Sequence, residues 1–177
     1  MFQRLLTYFK HRWLDESDTR RIIGPDVLDR LTALVATSEK EHSGEVRICV
    51  EASLPASYLW RHLAQNVPMP VLARQRAMMM FGKLGVWDTA DNNGVLIYLL
   101  LAERRIELVA DRGVNAVVSS AEWDGMVQRM SAAFAAGHFA QGLGEAVNEV
   151  SAPLKRHFAV RPSAHNPNEL PDSPALG

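Results

Sequence analysis

Trp87-Asp88-Thr89-Ala90-Asp91-Asn92-Asn93-Gly94 runs without a gap into Val95-Leu96-Ile97-Tyr98-Leu99-Leu100-Leu101-Ala102. Oxygen-rich side chains ahead of a glycine make a loop. A continuous apolar run bounded by such a signal makes a strand buried on both faces. Glu103-Arg104-Arg105 is a tight polar break, after which Ile106-Glu107-Leu108-Val109-Ala110 reaches Asp111-Arg112-Gly113. Two apolar runs across so short a break predict a β-hairpin. A hairpin returns the end of its second strand to the start of its first, so Asp88, Asp91, Asn92 and Asn93 are expected to meet Asp111 at one sheet edge.

Upstream, Glu45-Val46-Arg47-Ile48-Cys49-Val50-Glu51 alternates. That predicts a strand with Val46, Ile48 and Val50 on one face and Arg47 and Cys49 on the other, less completely buried than the 95–102 run. Helical stretches near 56–62 and 71–83 separate the two strands, with Pro68 and Pro70 as interruptions and a turn at Gly85. A strand–helix–strand connection predicts a parallel, right-handed crossover, which starts Glu45 at the same sheet end as Gly94.

The flanks read as helices. Residues 2–13 place Leu5, Leu6, Phe9 and Trp13 on one face, and Asp15-Glu16-Ser17-Asp18 reads as a charged connector. Gly24-Pro25 opens a helix carrying Val27, Leu31, Leu34 and Val35, closed by Ser43-Gly44 with glycine as a left-handed cap. Ser119-Ser120-Ala121-Glu122 fits a capping box ahead of Trp123, Val127, Met130 and Phe134, with Gly137 as the stop. Leu143, Val147, Val150, Leu154 and Phe158 mark a last helix. From Arg161 the chain is Pro-, Asn-, Ser- and Asp-rich and is expected to be a flexible tail, mobile or wrapped on the surface. Alternating strands and helices give an α/β sandwich.

A chain of 177 residues suits one domain with a full core. Net charge is −1, which excludes electrostatic capture of nucleic acid. Cys49 is the single cysteine, which excludes an internal disulfide and a cysteine-rich zinc site. The start lacks the unbroken apolar core of a secretory signal, and no run approaches the ~20 apolar residues of a membrane span, so a cytoplasmic setting is expected. The basic, aromatic residues 2–13 are expected to pack on the domain in preference to a peripheral membrane contact.

Clustered carboxylates repel by about 4 kcal/mol at 4 Å and an effective dielectric near 20, so such a group needs a proton, a basic partner or a metal. Calcium takes about six to eight oxygen ligands. Asp88, Asp91, Asn92, Asn93 and Asp111 are all oxygen donors, and no histidine or cysteine accompanies them, which disfavours zinc. Asp and Asn are also ordinary turn residues, so a bound cation and a plain loop both remain open readings. Glu45, at the same sheet end, is a secondary candidate. So is Asp124, whose place in a first helical turn the helix dipole also explains. The loop lacks the EF-hand spacing, and no phosphate-binding glycine loop or Gly-x-Ser-x-Gly elbow occurs. Cys49 reads as a core residue, Met78-Met79-Met80-Phe81 as core filler, and His138 and His157 are not spaced as a ligand pair.

Ser43-Gly44-Glu45-Val46-Arg47, Leu84-Gly85, Asp91-Asn92-Asn93-Gly94-Val95-Leu96-Ile97-Tyr98, Asp111-Arg112-Gly113-Val114, Trp123-Asp124 and residues 134–144 together, in this order, resemble the TPM-domain (TPM phosphatase) family. The match spans residues 20–160, leaving 1–19 as an N-terminal amphipathic helix and connector and 161–177 as the tail. Asn168-Glu169-Leu170-Pro171 looks like the tail of the short, soluble bacterial members. The resemblance implies a single α/β/α sandwich around a small mixed sheet, and a site for Ca2+ or another hard divalent cation. Carried onto this chain, that site is Asp88, Asp91, Asn92 and Asp111; Asn93, like Glu45 and Asp124, is a secondary candidate. The family includes a plant thylakoid-lumen protein described as an acid phosphatase, members that assist membrane receptors, and many bacterial members of unassigned role. This chain departs from the longer members, which carry a signal peptide, a transmembrane helix and a glycine-rich end. The expected function is a calcium-binding interaction domain with a protein partner of unknown identity and without robust catalysis. The alternative is a metal-dependent acid phosphatase acting on phosphomonoesters, with Asp91 as base or nucleophile and Arg112 as the phosphate ligand.

Overall fold

The computed structural model describes residues 2–160 and 166–177, with side chains from Leu6 onward. In chain order the elements are α1 (Phe2–Trp13), α2 (Glu16–Ile22), α3 (Pro25–Ser38), β1 (Val46–Glu51), α4 (Ala56–Ala64), α5 (Met69–Lys83), β2 (Val95–Leu100), β3 (Arg105–Ala110), a one-turn α6 (Arg112–Asn115), α7 (Ser120–Ala136), α8 (Phe139–His157) and β4 (Ala175–Leu176). The sheet order is β3-β2-β1-β4. The expected hairpin forms, with β2 and β3 antiparallel and Val95 opposite Ala110. The expected crossover forms as well, with β1 parallel to β2 and Val46 opposite Val95.

Helices cover both faces of this sheet. Val46, Ile48, Val50, Val95, Ile97 and Leu99 pack against α3, α7 and α8 through Val35, Met130, Phe134 and Val150. The alternate residues Cys49, Leu96, Tyr98 and Leu100 pack against α4 and α5 through Leu59, Leu72, Ala77 and Met80. Every residue of β2 is fully buried. Each such aliphatic side chain contributes about 1.5–3 kcal/mol, so the strand that the apolar run predicts is also the centre of the core. No helix among the described residues is long and apolar enough to cross a membrane.

Several local expectations are corrected. β1 is buried on both faces, yet less completely than β2, as expected, with Arg47 and Glu51 8% and 6% exposed. Its polar side chains are paired there: the Arg47 guanidinium donates to the carbonyls of Pro171 and Ser173, and Glu51 accepts from Arg76 and from Tyr98 Oη. Residues 15–18 are a helix start, not a connector, because Asp15 and Asp18 form a reciprocal capping box. α3 ends at Ser38, and Gly44 is not its cap. A Cβ on Gly44 would stand 2.7 Å from Leu154 Cδ2 and 3.2 Å from the Asn93 carbonyl, so the glycine lets both pack close without a shift. Pro70 lies inside the first turn of α5, where its missing N–H removes no helical bond. β2 stops at Leu100, and Leu101–Glu103 turns as a short 3₁₀ helix. Ser119 caps α7 through the Glu122 amide, but the Glu122 carboxylate faces Arg156 at 3.4 Å, so half of the expected capping box forms. Gly137, at φ +84°, closes α7 as expected.

Both ends lie against the domain, which is the placement expected for residues 2–13 and one of the two expected for the tail. Residues 161–165 lie outside the described residues. Beyond them the chain lies against the domain, and β4 pairs parallel to β1. α1 packs on α4, but not through its apolar stripe: Leu6, Phe9 and Trp13 are 53%, 55% and 83% exposed, and the Leu5 side chain lies outside the described ones. The anchor is His11, 2% exposed, whose Nδ1 accepts from the Leu54 amide at 3.1 Å. Its Nε2 then carries the proton and donates to Glu103 Oε1 at 3.1 Å.

Candidate functional site

The hairpin register sets the corner. Because Val95 faces Ala110, the next pair outward is Gly94 and Asp111, and the Asp111 amide donates to the Gly94 carbonyl at 2.9 Å. One turn later the Gly113 amide donates to the Asn92 carbonyl at 2.9 Å. Asn92 takes a left-handed φ of 52°, a conformation that asparagine tolerates better than most residues. A Cβ on Gly113 would lie 2.5 Å from the Asn92 oxygen and 2.7 Å from the Asp91 oxygen. Glycine at 113 therefore lets the start of α6 touch the loop. The two segments that the sequence expects to converge do so.

Each candidate side chain has a distinct place. Asn93 is 1% exposed; its Nδ2 donates to the Ser43 carbonyl at 2.9 Å and to Ser43 Oγ at 3.1 Å. Its Oδ1 is buried without a hydrogen-bond partner among the described residues. Asp111 uses Oδ1 to cap the Arg112 amide at 2.7 Å, while its Oδ2 is buried and has no hydrogen-bond partner among the described residues. Asn92 Oδ1 accepts from Arg112 Nε at 2.8 Å. Asp91 is exposed, and its Oδ2 accepts from Ser43 Oγ at 3.3 Å. Asp88 is exposed, with its amide on the Gly85 carbonyl; no side-chain hydrogen bond ties it to the corner among the described residues.

Of the secondary candidates, Asn93 lies in the corner, while Glu45 and Asp124 point elsewhere. The Glu45 backbone is at the expected sheet end, its carbonyl accepting from the Val95 amide. Its carboxylate instead accepts from the amides of Glu169 and Leu170 at 3.2 and 3.0 Å, and burial raises its pKa. Asp124 lines a separate cleft beside β3 with Trp123 and Arg74. Cys49 is a core residue, its thiol pushed up to about 12 by burial.

Sequence reasoning missed three contributors. Ser43 bridges Asn93 and Asp91, and Glu169 in the returning tail accepts from the Ala90 amide at 3.1 Å. Glu39 accepts from the Val46 amide at 2.8 Å, and burial, with Glu45 and Asp172 nearby, pushes it up to about 8. Ser43 and Glu169 act through contacts distant in sequence, 50 and 79 residues away, and Glu39 through an amide beyond the end of its own helix, so periodicity marks none of them as a site residue. A groove of about 450 Å³ opens beside the loop, lined by Ser43, Ala90, Asp91, Phe158, Asn166 and Glu169.

No three His, Cys, Asp or Glu side chains gather as a metal cage among the described residues. The corner offers instead one carboxylate oxygen and one amide oxygen without donors. Leaving a buried acceptor unpaired costs about 1–3 kcal/mol, and a hard cation meets that need with carboxylate and carbonyl-type oxygens. Both acceptors are oxygens, the donor type of a hard cation, and not the nitrogen and sulfur ligands that favour zinc.

A family model described as "TPM domain" matches residues 17–152. The structure is similar to the NMR structure of BA42 protein from the psychrophilic bacterium Bizionia argentinensis, with 25% identity, a TM-score of 0.71, and coverage of 87% of this chain and 94% of that one. It is also similar to the N-terminal domain of a P. gingivalis protein, with 17% identity, a TM-score of 0.60, and coverage of 79% and 83%; that likeness concerns the fold alone. No curated protein matches.

Proposed function

The chain belongs to the TPM-domain family, and from that premise we propose that it is a calcium-binding interaction domain without robust catalysis. The ion would be held where the 91–94 loop meets Asp111. The observation that carries this reading is the pair of buried, unpartnered acceptors, Asn93 Oδ1 and Asp111 Oδ2. Asp111 and Asn93 would be the main ligands, and Asp88, Asp91 and Asn92 the source of further oxygens. When bound, the cation supplies positive charge that those acceptors lack. This chain's own residues build the corner: Gly113 permits the approach, Ser43 orients Asn93 and Asp91, and Arg112 holds Asn92. A stiffened loop would form one rim of the adjoining groove, the surface offered to a protein partner. The phosphomonoesterase alternative would rest on Arg112 alone as phosphate ligand, and that side chain is tied to the loop through Nε and Asn92 Oδ1.

Thermal melting with calcium and with EDTA tests the reading. Binding stabilises by RT ln(1 + [L]/Kd), about 2.7 kcal/mol at a hundredfold excess over Kd. The midpoint is expected to rise in calcium for the wild type and not for Asp111→Ala. Equal midpoints for the wild type in calcium and EDTA refute it.

A further inference from the structure

The helices on one side of the sheet have an unusual charge pattern. α1, α4 and α5 together carry seven arginines and lysines and no aspartate or glutamate. All 20 acidic residues of the chain lie elsewhere, with none between Glu51 and Asp88. Lys10, Arg74 and Arg76 are matched by Glu103, Glu107 and Glu51. Arg12, Arg61 and Lys83 have no carboxylate within ion-pair reach among the described residues. The same layer is greasy on its outside. Leu6, Phe9 and Trp13 on α1, Trp60 on α4, and Met78 and Met79 on α5 are all exposed. Of the large apolar side chains the described structure leaves exposed, all but Val117 lie on this layer or in the turn after α5.

Water does not favour such a surface. Contiguous exposed apolar groups mark an interaction site, and tryptophan beside lysine and arginine suits the boundary between headgroups and acyl chains. A second copy is the poorer occupant, because a two-fold contact sets a patch against itself and would bring these unpaired cations together. We propose that the face built from α1, α4 and α5 docks reversibly on an anionic lipid surface. Leu6, Phe9 and Trp13 insert at the boundary, while Arg12, Arg61 and Lys83 meet the headgroups. His11, bonded to Leu54 and Glu103, holds α1 with its apolar stripe outward.

The test uses the full chain with vesicles of phosphatidylglycerol mixed with phosphatidylcholine, and with phosphatidylcholine alone. Of the four tryptophans, Trp13 and Trp60 are exposed on this layer and Trp87 is exposed in the turn after α5, so intrinsic fluorescence reports docking alongside co-sedimentation. Binding with a blue shift is expected on the anionic vesicles, falling with added salt. Arg12→Gln and Lys83→Gln should each weaken it about fivefold, and Phe9→Ser with Trp13→Ser should weaken it at least about tenfold. These side chains are exposed, so the melting midpoint should not move, and Lys83 tests the face independently of α1. No binding to anionic vesicles overturns the proposal. So does unchanged binding in the Phe9/Trp13 double variant, or concentration-dependent self-association that buries these tryptophans without any affinity for vesicles.

Discussion

Gly113→Ala should separate the two halves of the corner. The added Cβ would sit 2.5 Å from the Asn92 oxygen and 2.7 Å from the Asp91 oxygen, where ordinary contact begins at 3.4 Å. Both obstacles are backbone, so no side-chain rotation relieves them. Overpacking of this kind costs about 1–3 kcal/mol. Retreat of the loop also stretches the bond from the Gly113 amide to the Asn92 carbonyl, worth about 1 kcal/mol net. The sum, roughly 2–4 kcal/mol, lowers the midpoint by about 2–4 °C per kcal/mol in a chain of this size. Gly82→Ala is the control, since nothing lies within 4 Å of its added Cβ and alanine favours a helix over glycine by up to about 1 kcal/mol. Calorimetry of both variants, with calcium and with EDTA, is the assay. Gly113→Ala is expected to lose stability and any calcium-dependent rise, while Gly82→Ala holds or gains. A Gly113→Ala protein as stable as the wild type would refute the claim that these segments are in contact.

Two further outcomes follow from groups that the fold perturbs or exposes. Glu39 releases its proton near 4.5 when unfolded and near 8 when folded; its raised pKa therefore adds stability at low pH that is lost as pH rises between those values. Glu39→Gln should flatten that slope, with part remaining because Glu45 shifts the same way, and should leave the variant more stable than the wild type above pH 8; melting across this range checks it, and an unchanged slope counts against a buried, protonated Glu39. Phosphomonoester hydrolysis by the purified chain, with calcium or magnesium, should be no faster than that of Asp91→Ala; a wild-type rate that the variant loses would overturn the non-catalytic reading.

Much of the fold was legible because its signals are local. Residues 95–102 are apolar without interruption, so they had to be covered on both sides. Gly85 and Gly137, both with positive φ, punctuate as glycine does when a turn needs that conformation. The corner was legible at one remove: once 95–102 and 106–110 are a hairpin, Asp111 must return to the loop. The chemistry of individual donors was not. Asp88, Asp91, Asn92 and Asn93 look alike as a string, yet Asn93 is buried with an unpartnered oxygen while Asp88 is exposed to solvent.

Period, turn residues and the hairpin rule, all properties of neighbours along the chain, determined from sequence alone that this is an α/β protein with a parallel crossover and an Asp/Asn loop at one sheet edge. Only the tertiary structure decided what lies over each surface. The returning segment that ends in β4 covers Arg47 and draws Glu45 away from the loop. Leu154 and the Asn93 carbonyl make Gly44 a packing glycine instead of a helix cap. His11, a residue with no periodic signature, docks α1 so that its apolar stripe faces solvent. Each of these depends on a partner dozens of residues away, and burial and hydrogen bonding across such distances leave no trace in local pattern.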